Sequence, residues 1–424
     1  MLVREYKAIG EKVYSAALSN SLRVYAVPKP GFSKSFACFA VKYGGSDVRF
    51  MRGEQWLDTP AGIAHFLEHK MFDMPEGENA LSVLAANGAE PNAFTGYGET
   101  VYFFESTEGF CENLETLLRF VSTPYFTPES VAKEQGIIGQ EIMMIEDNPS
   151  HRNYVNLINC LYKHNPARTP IAGSVGSIAQ ITAETLYDCH HTFYVPANMV
   201  LCAAGDIDPE RIAEAAERIL PREPGAGDIK RDYGEKESSG AASGYRREKM
   251  EVASPLFMLG VKLPACADGR ERRRQSFMAD IAYRALAGAS SPLYSRLYEK
   301  GLINKSFTGE TDNIPGAAML IFAGESEQPE KVRDEIFAEA EKAARGGFEP
   351  EYIGRVKKSM AGALLRRLDS LDDICVERAV GAFGGYDPFE DTETLMGISE
   401  DELAGFIAER LRPEAAALSV IENV

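Results

Sequence analysis

Apolar residues recur along this chain in two rhythms. Leu22 to Val27 and Ser35 to Val41 are rich in β-branched and aromatic residues and read as strands, as does Val101-Tyr102-Phe103-Phe104. Helical spacing appears between them. Gly62-Ile63-Ala64 and Lys70-Met71-Phe72 flank a segment that reads as a partly buried helix, and Ala80 to Asn87 reads as a short one. A long helix opens at Pro128, with proline in its first turn as its locked φ favours. Strands and helices alternate, and the strands lie close enough in the chain to pair antiparallel. The pattern predicts an α+β protein, antiparallel sheets with helices packed on them, and not a doubly wound parallel sheet.

The same pattern repeats. Ile181-Thr182-Ala183-Glu184-Thr185-Leu186, running on to Pro196-Ala197-Asn198-Met199-Val200, lies without gaps on Ile398-Ser399-Glu400-Asp401-Glu402-Leu403 and Pro413-Glu414-Ala415-Ala416-Ala417. Each reads as a capped helix, a turn at proline and an apolar strand. Upstream, Phe126-Thr127-Pro128-Glu129 matches Phe348-Glu349-Pro350-Glu351, and Ile63-Ala64 falls on Ile281-Ala282. Two tandem copies of one sandwich-like α/β domain are expected, residues 1–221 and 246–424. The Gly-, Ser- and charge-rich stretch 222–245 is expected to link them.

Composition narrows the class. A chain of 424 residues exceeds one ordinary core, in line with two domains. No apolar run is long enough to span a membrane, and the N-terminus lacks the apolar core of a secretory signal. The seven cysteines are odd in number and never in C-x-x-C spacing, which points to a cytoplasmic protein with free thiols. A net charge of −18 without a basic stripe argues against nucleic acid as a partner and favours cationic partners or substrates.

Chemistry concentrates in His65-Phe66-Leu67-Glu68-His69. On a helix, residues i, i+3 and i+4 share a face. Two imidazoles so placed can grip one zinc ion, and Glu68 can reach a water beside it as general base. The order H-x-x-E-H inverts the commoner H-E-x-x-H. A catalytic zinc needs a third protein ligand. The helix from Pro128 offers two carboxylates two turns apart on one face, Glu134 and Glu141, either of which could bind the metal while the other holds a histidine. The run Ile137-Ile138 and Ile142-Met143-Met144 is too apolar for a freely solvated helix.

With these residues in place, the chain resembles the pitrilysin/insulinase/mitochondrial processing peptidase family of inverted-motif zinc peptidases, most closely its bacterial YmfH-like branch. The resemblance spans nearly the whole chain: H-x-x-E-H, then E-x6-E some 70 residues later, then the tandem repeat. It implies that Glu141 is the third zinc ligand and Glu134 its supporting carboxylate. It also implies that Asn92-Ala93-Phe94, followed by Thr95, form the edge strand that seats substrate, and that the two domains are half of a clamshell. The implied activity is zinc-dependent endopeptidase cleavage of peptides or short unfolded segments.

The second copy has no metal-binding set. Tyr283 and Ala287 stand at the histidine positions, Leu286 at the base and Ala363 at the third ligand. The chain departs from the family pattern in one more place. Where active members carry an arginine and a tyrosine for the oxyanion, Tyr298 and Asn304 stand, and Arg296 is out of register. A paralogous subunit supplying that pair is the expected partner, with a homodimer as the other arrangement. The alternatives are a weakly active or non-proteolytic interaction subunit, or an accessory factor in a protein-modification pathway.

Overall fold

The computed structural model describes the backbone of residues 1–424 and every side chain except that of Glu76. In chain order the strands are β1 (Leu2–Tyr6), β2 (Glu11–Ala17), β3 (Arg23–Pro28), β4 (Ser35–Val41), β5 (Arg49–Arg52), β6 (Gln55–Asp58), β7 (Ala89–Thr95), β8 (Thr100–Ser106) and β9 (Met199–Gly205). They are followed by β10 (Tyr245–Met250), β11 (Leu256–Leu263), β12 (Thr308–Ile314), β13 (Ala317–Glu325) and β14 (Ala416–Asn423). The α+β architecture with antiparallel-rich sheets is present in each of two compact units.

The first unit is built on a seven-stranded sheet, ordered β1-β2-β3-β9-β4-β8-β7, in which only β3 and β9 run parallel. Successive side chains on a strand point to opposite faces. Along β4, Ala37, Phe39 and Val41 therefore enter the main core with the helices, while Phe36, Cys38 and Ala40 enter a second cluster on the other face. That second face is covered by the helix Leu371–Gly384, which brings Leu371, Ile374, Cys375, Ala379 and Ala382 onto it. The second unit has a five-stranded sheet, β10-β14-β11-β13-β12, with β10 and β14 parallel. Here the helix Pro149–Leu161 lies against the sheet, so close that a Cβ on Gly260 would meet Leu161 at 2.8 Å.

The compact units thus differ from the sequential halves 1–221 and 246–424. Residues 143–169 belong to the second unit and residues 365–389 to the first. Each half lends a helix to the sheet of the other. The reason is local: β4 and β9 are buried along their whole length, so both faces of the sheet need cover. One of the chain's crossings between units, at Asp232–Tyr233, falls inside the stretch expected to link them. That stretch is ordered by contacts with each unit. Ile229 is buried in the first, and Glu237 accepts backbone N–H bonds from Lys163, His164 and Asn165 in the second. Among the described residues no helix is long and apolar enough to cross a membrane.

One buried histidine gives the first unit a pH dependence. His190, on the helix Ala183–Phe193, is 4% exposed; its Nε2–H donates to the Val121 carbonyl at 3.1 Å, and its ring stacks on Tyr194. Burial lowers its pKa to about 4, so the imidazole is neutral in the folded chain. The unfolded chain takes up the proton near the ordinary value of about 6.5. This contribution to stability is therefore fully present above pH ~6.5 and is lost as pH falls toward 4, amounting to about 2 kcal/mol by pH 5. Urea unfolding of the wild-type and His190→Gln chains should show their stability difference shrinking by about that amount between pH 7 and 5. A difference constant with pH would contradict it.

Candidate metal and catalytic site

The helix Ile63–Lys70 carries the H-x-x-E-H segment, and its two faces divide the labour. Ile63, Phe66 and Leu67 are buried in the main core of the first unit, which anchors the helix. His65, Glu68 and His69 share the remaining face, as their spacing requires. The buried Lys70 closes the helix with an ion pair to Asp73. At the other end stands Gly62 in a left-handed conformation, φ +93°. A Cβ there would lie 2.5 Å from the Ala172 carbonyl oxygen, so chain 170–173 presses directly on the start of the helix.

The second element is the helix Pro128–Glu146, whose Val131, Ile138 and Ile142 are buried. Glu134 and Glu141 lie on its inward side. His65 Nε2 is 3.5 Å from Glu141 Oε1, and His69 Nε2 is 3.6 Å from Glu141 Oε2. The two imidazoles are 4.6 Å apart, ring centre to ring centre. Glu134 Oε1 instead faces Nδ1 of His69 at 3.2 Å. The two glutamates left open by their spacing thus occupy different places, one between the histidines and one behind His69. Burial accounts for only two of the five residues in the apolar run on this helix. Ile138 and Ile142 are inside, whereas Ile137, Met143 and Met144 are 49%, 44% and 69% exposed.

The donor set fits a small divalent cation. Bonds of roughly 2.0 Å in a tetrahedron place ligand atoms roughly 3.3 Å apart, close to the observed imidazole–carboxylate separations. Among the described residues, His65, His69 and Glu141 are the only group of three such side chains whose ligand atoms lie within 4.8 Å of one another. The electrostatics point the same way. Burial pulls the His69 imidazole down, but the Glu134 bond and the charges of Glu68, Glu141 and Glu134 outweigh it, so its pKa is raised. The hydrogen bond with His65 draws the Glu141 carboxyl below its ordinary value despite partial burial. Three carboxylates around two imidazoles make a pocket that welcomes positive charge. The His65 Nδ1 atom is buried without a partner among the described residues.

Glu68 is 8% exposed and accepts a hydrogen bond from Thr95 Oγ1 at 2.7 Å. Thr95 ends β7, the outermost strand of the sheet. Asn92 and Phe94 are exposed, and Ala93 packs against the main core. The Ala93 N–H is taken by its neighbour's Asn92 Oδ1 at 2.9 Å, and Pro91 has no N–H to offer. The strand edge is therefore partly masked by its own side chain, as exposed edges often are. Thr95 closes the N-A-F-T segment, and nothing in that segment by itself ties it to Glu68. The available signal was parity, since Thr95 and Ala93 must face the same way.

In the second unit, Leu286 and Ala287 are core residues and Tyr283 lies over Gly309. Tyr298 is 45% exposed, Asn304 donates to Glu325 at 2.9 Å, and Arg296 is held by Glu339 at 2.6 Å.

Comparison with known proteins gives this constellation its family. The pattern of the Insulinase (Peptidase family M16) family matches residues 57–175, and that of the Peptidase M16 inactive domain matches residues 180–360. The chain therefore belongs to the M16 peptidase family. It is 36% identical over 412 residues, 96% of each chain, to the uncharacterized zinc protease YmfH of Bacillus subtilis (strain 168). The crystal structure of an M16-like peptidase from Alicyclobacillus acidocaldarius superimposes with a TM-score of 0.92 at 30% identity, covering 98% of this chain and 99% of that one. A protease from Helicobacter pylori shares the fold, with a TM-score of 0.82 at 19% identity over 97% of this chain and 100% of that one.

The crowding at Gly62 has a measurable consequence. Gly62→Ala combines a left-handed backbone with a Cβ pressed on a carbonyl, a strain of about 1–3 kcal/mol. Its unfolding midpoint should fall further than that of Gly53→Ala, which is left-handed with open space around it and carries only the backbone cost of about 1–2 kcal/mol. Equal losses would show that contact with Ala172 is not the constraint.

Proposed function

We propose that this chain is a zinc-dependent endopeptidase acting on peptides or short unfolded segments, as the metal-bearing subunit of a heterodimer. One observation carries the reading: His65, His69 and Glu141 converge while Glu68 sits on the same helix face as the two histidines. His65, His69 and Glu141 would hold zinc. Bound zinc supplies polarisation of the scissile carbonyl and acidification of a water. The chain's own residues do the rest. Glu134 accepts the Nδ1 proton of His69, which fixes the tautomer and leaves Nε2 as the donor atom. Glu68 takes the proton of the attacking water and passes it to the leaving amine. The Asn92-Ala93-Phe94 edge seats an extended substrate by main-chain pairing, with Asn92 releasing the Ala93 N–H as it does so.

In this reading residues 1–221 supply the catalytic domain and residues 246–424 hold substrate, joined by 222–245. The partner is a paralogous subunit bearing the arginine and tyrosine that Tyr298 and Asn304 replace here. Arg296 cannot substitute without giving up Glu339. The location is a reducing cytoplasm, in keeping with five buried cysteines held as free thiols.

Four measurements bear on this. Glu141→Gln should abolish stoichiometric zinc in metal analysis, and Glu134→Gln should keep it with affinity weakened about 10–100-fold in chelator competition. If Glu141→Gln binds zinc like the wild type, the ligand set is wrong. Glu68→Gln should retain zinc and lose about 10²–10⁴-fold in kcat/KM on an unstructured peptide. Undiminished turnover would remove Glu68 from the role of base. Finally, adding the co-encoded paralogue should raise peptidase activity well above that of the chain alone. High activity without it would refute the heterodimer.

A further inference from the structure

The peptide-seating strand and the general base are joined by a single side chain. Glu68 is a nearly buried carboxylate, and such a group needs hydrogen-bond donors to remain charged in place. Among the described residues one donor reaches it, the Thr95 hydroxyl at 2.7 Å. Thr95 has one proton to give, and its neighbours leave little choice of direction. The cross-strand partner Thr100, fully buried, donates its own proton to the Tyr43 carbonyl at 2.9 Å, and the two threonine hydroxyls stand 3.4 Å apart. The Thr95 proton therefore goes to Glu68 Oε2, in a short charge-assisted bond. One carboxylate oxygen is pinned and the other is left for the proton in transit.

We infer that Thr95 is a positioning residue, one that sets the orientation of Glu68 and ties it to occupancy of the edge strand. The inference rests on the peptidase reading given above. Thr95 lies two residues from Ala93 on the same strand face, at the end of the segment that seats substrate. A peptide that pairs with β7 restrains that backbone, and with it the one hydrogen bond that aims the base. Substrate binding and base alignment become parts of one event. The role differs from simple satisfaction of a buried carboxylate, because its loss falls on turnover and not on binding.

Thr95→Val removes the hydroxyl at nearly unchanged volume, and Thr95→Ser keeps it; Thr95→Ala takes the place of the valine variant if that chain does not fold. In whichever assembly the wild type is active, Thr95→Val should lower kcat about tenfold with KM within about twofold, and Thr95→Ser should restore kcat to within about threefold. Crystal structures provide a readout independent of activity: Glu68 should leave its position in Thr95→Val and keep it in Thr95→Ser. A Glu68 side chain unmoved in the valine variant, or a loss confined to KM, overturns the positioning role. Glu68→Gln separates the two ideas. If it is fully active, the assignment of the base has failed; if it is inactive while Thr95→Val turns over normally, only the positioning role has.

Discussion

Strands β4 and β9 have no face to give to water, and the rest of the first unit follows from that. Their side chains alternate between two apolar clusters, so the sheet must be covered on both sides. One side receives the helices of its own half, including the one that begins at Gly62. The other receives Leu371–Gly384 from far along the chain. With both faces closed, the sheet is a platform buried on both sides. The helix Ile63–Lys70 is set on it by Ile63, Phe66 and Leu67, whose contacts determine how the opposite face is aimed.

On that platform the site is assembled from groups that would repel or strain one another if left unaccompanied. Glu68, Glu134 and Glu141 crowd two imidazoles, and the histidines answer by rising basicity at His69 and by drawing Glu141 down. Such a surplus of negative charge is tolerable where a dication completes it. The division of labour between the two glutamates is geometric. Glu141 presents its carboxylate to both Nε2 atoms, and Glu134 sits behind the ring on Nδ1. Substitution at one acts on the metal directly and at the other through an orientation.

Parts of this were legible in order of how local their causes are. The histidine pair and Glu68 could be read because helical spacing alone brings i, i+3 and i+4 together. Glu134 and Glu141 were equally eligible, since seven residues leave both on one face; only the resemblance to a family separated them beforehand. Thr95 has no role legible in its own segment, because its hydroxyl meets Glu68 across 27 residues of chain. The apolar run at Ile137-Ile138 and Ile142-Met143-Met144 reads as too apolar for a freely solvated helix, and three of its five residues are nonetheless exposed. Hydrophobicity marks a preference for cover, and nothing in a single segment says whether the same chain supplies it.

By itself the sequence determined the α+β class, the repeat, the two histidines with their glutamate, and the absence of such a set from the second copy, where Tyr283, Leu286 and Ala287 stand. All of these rest on short periodicities and on residue identity. Tertiary structure alone decided how Thr95 meets Glu68 and that each half lends a helix to the other's sheet, and it set Glu141 between the imidazoles where spacing left the two glutamates equal. An apolar strand such as Met199–Gly205 announces that both its faces need burial. It cannot announce the source of the cover, because hydrophobic attraction is non-directional and many apolar helices satisfy it equally. Packing in three dimensions makes that choice, and with it the shape of the site.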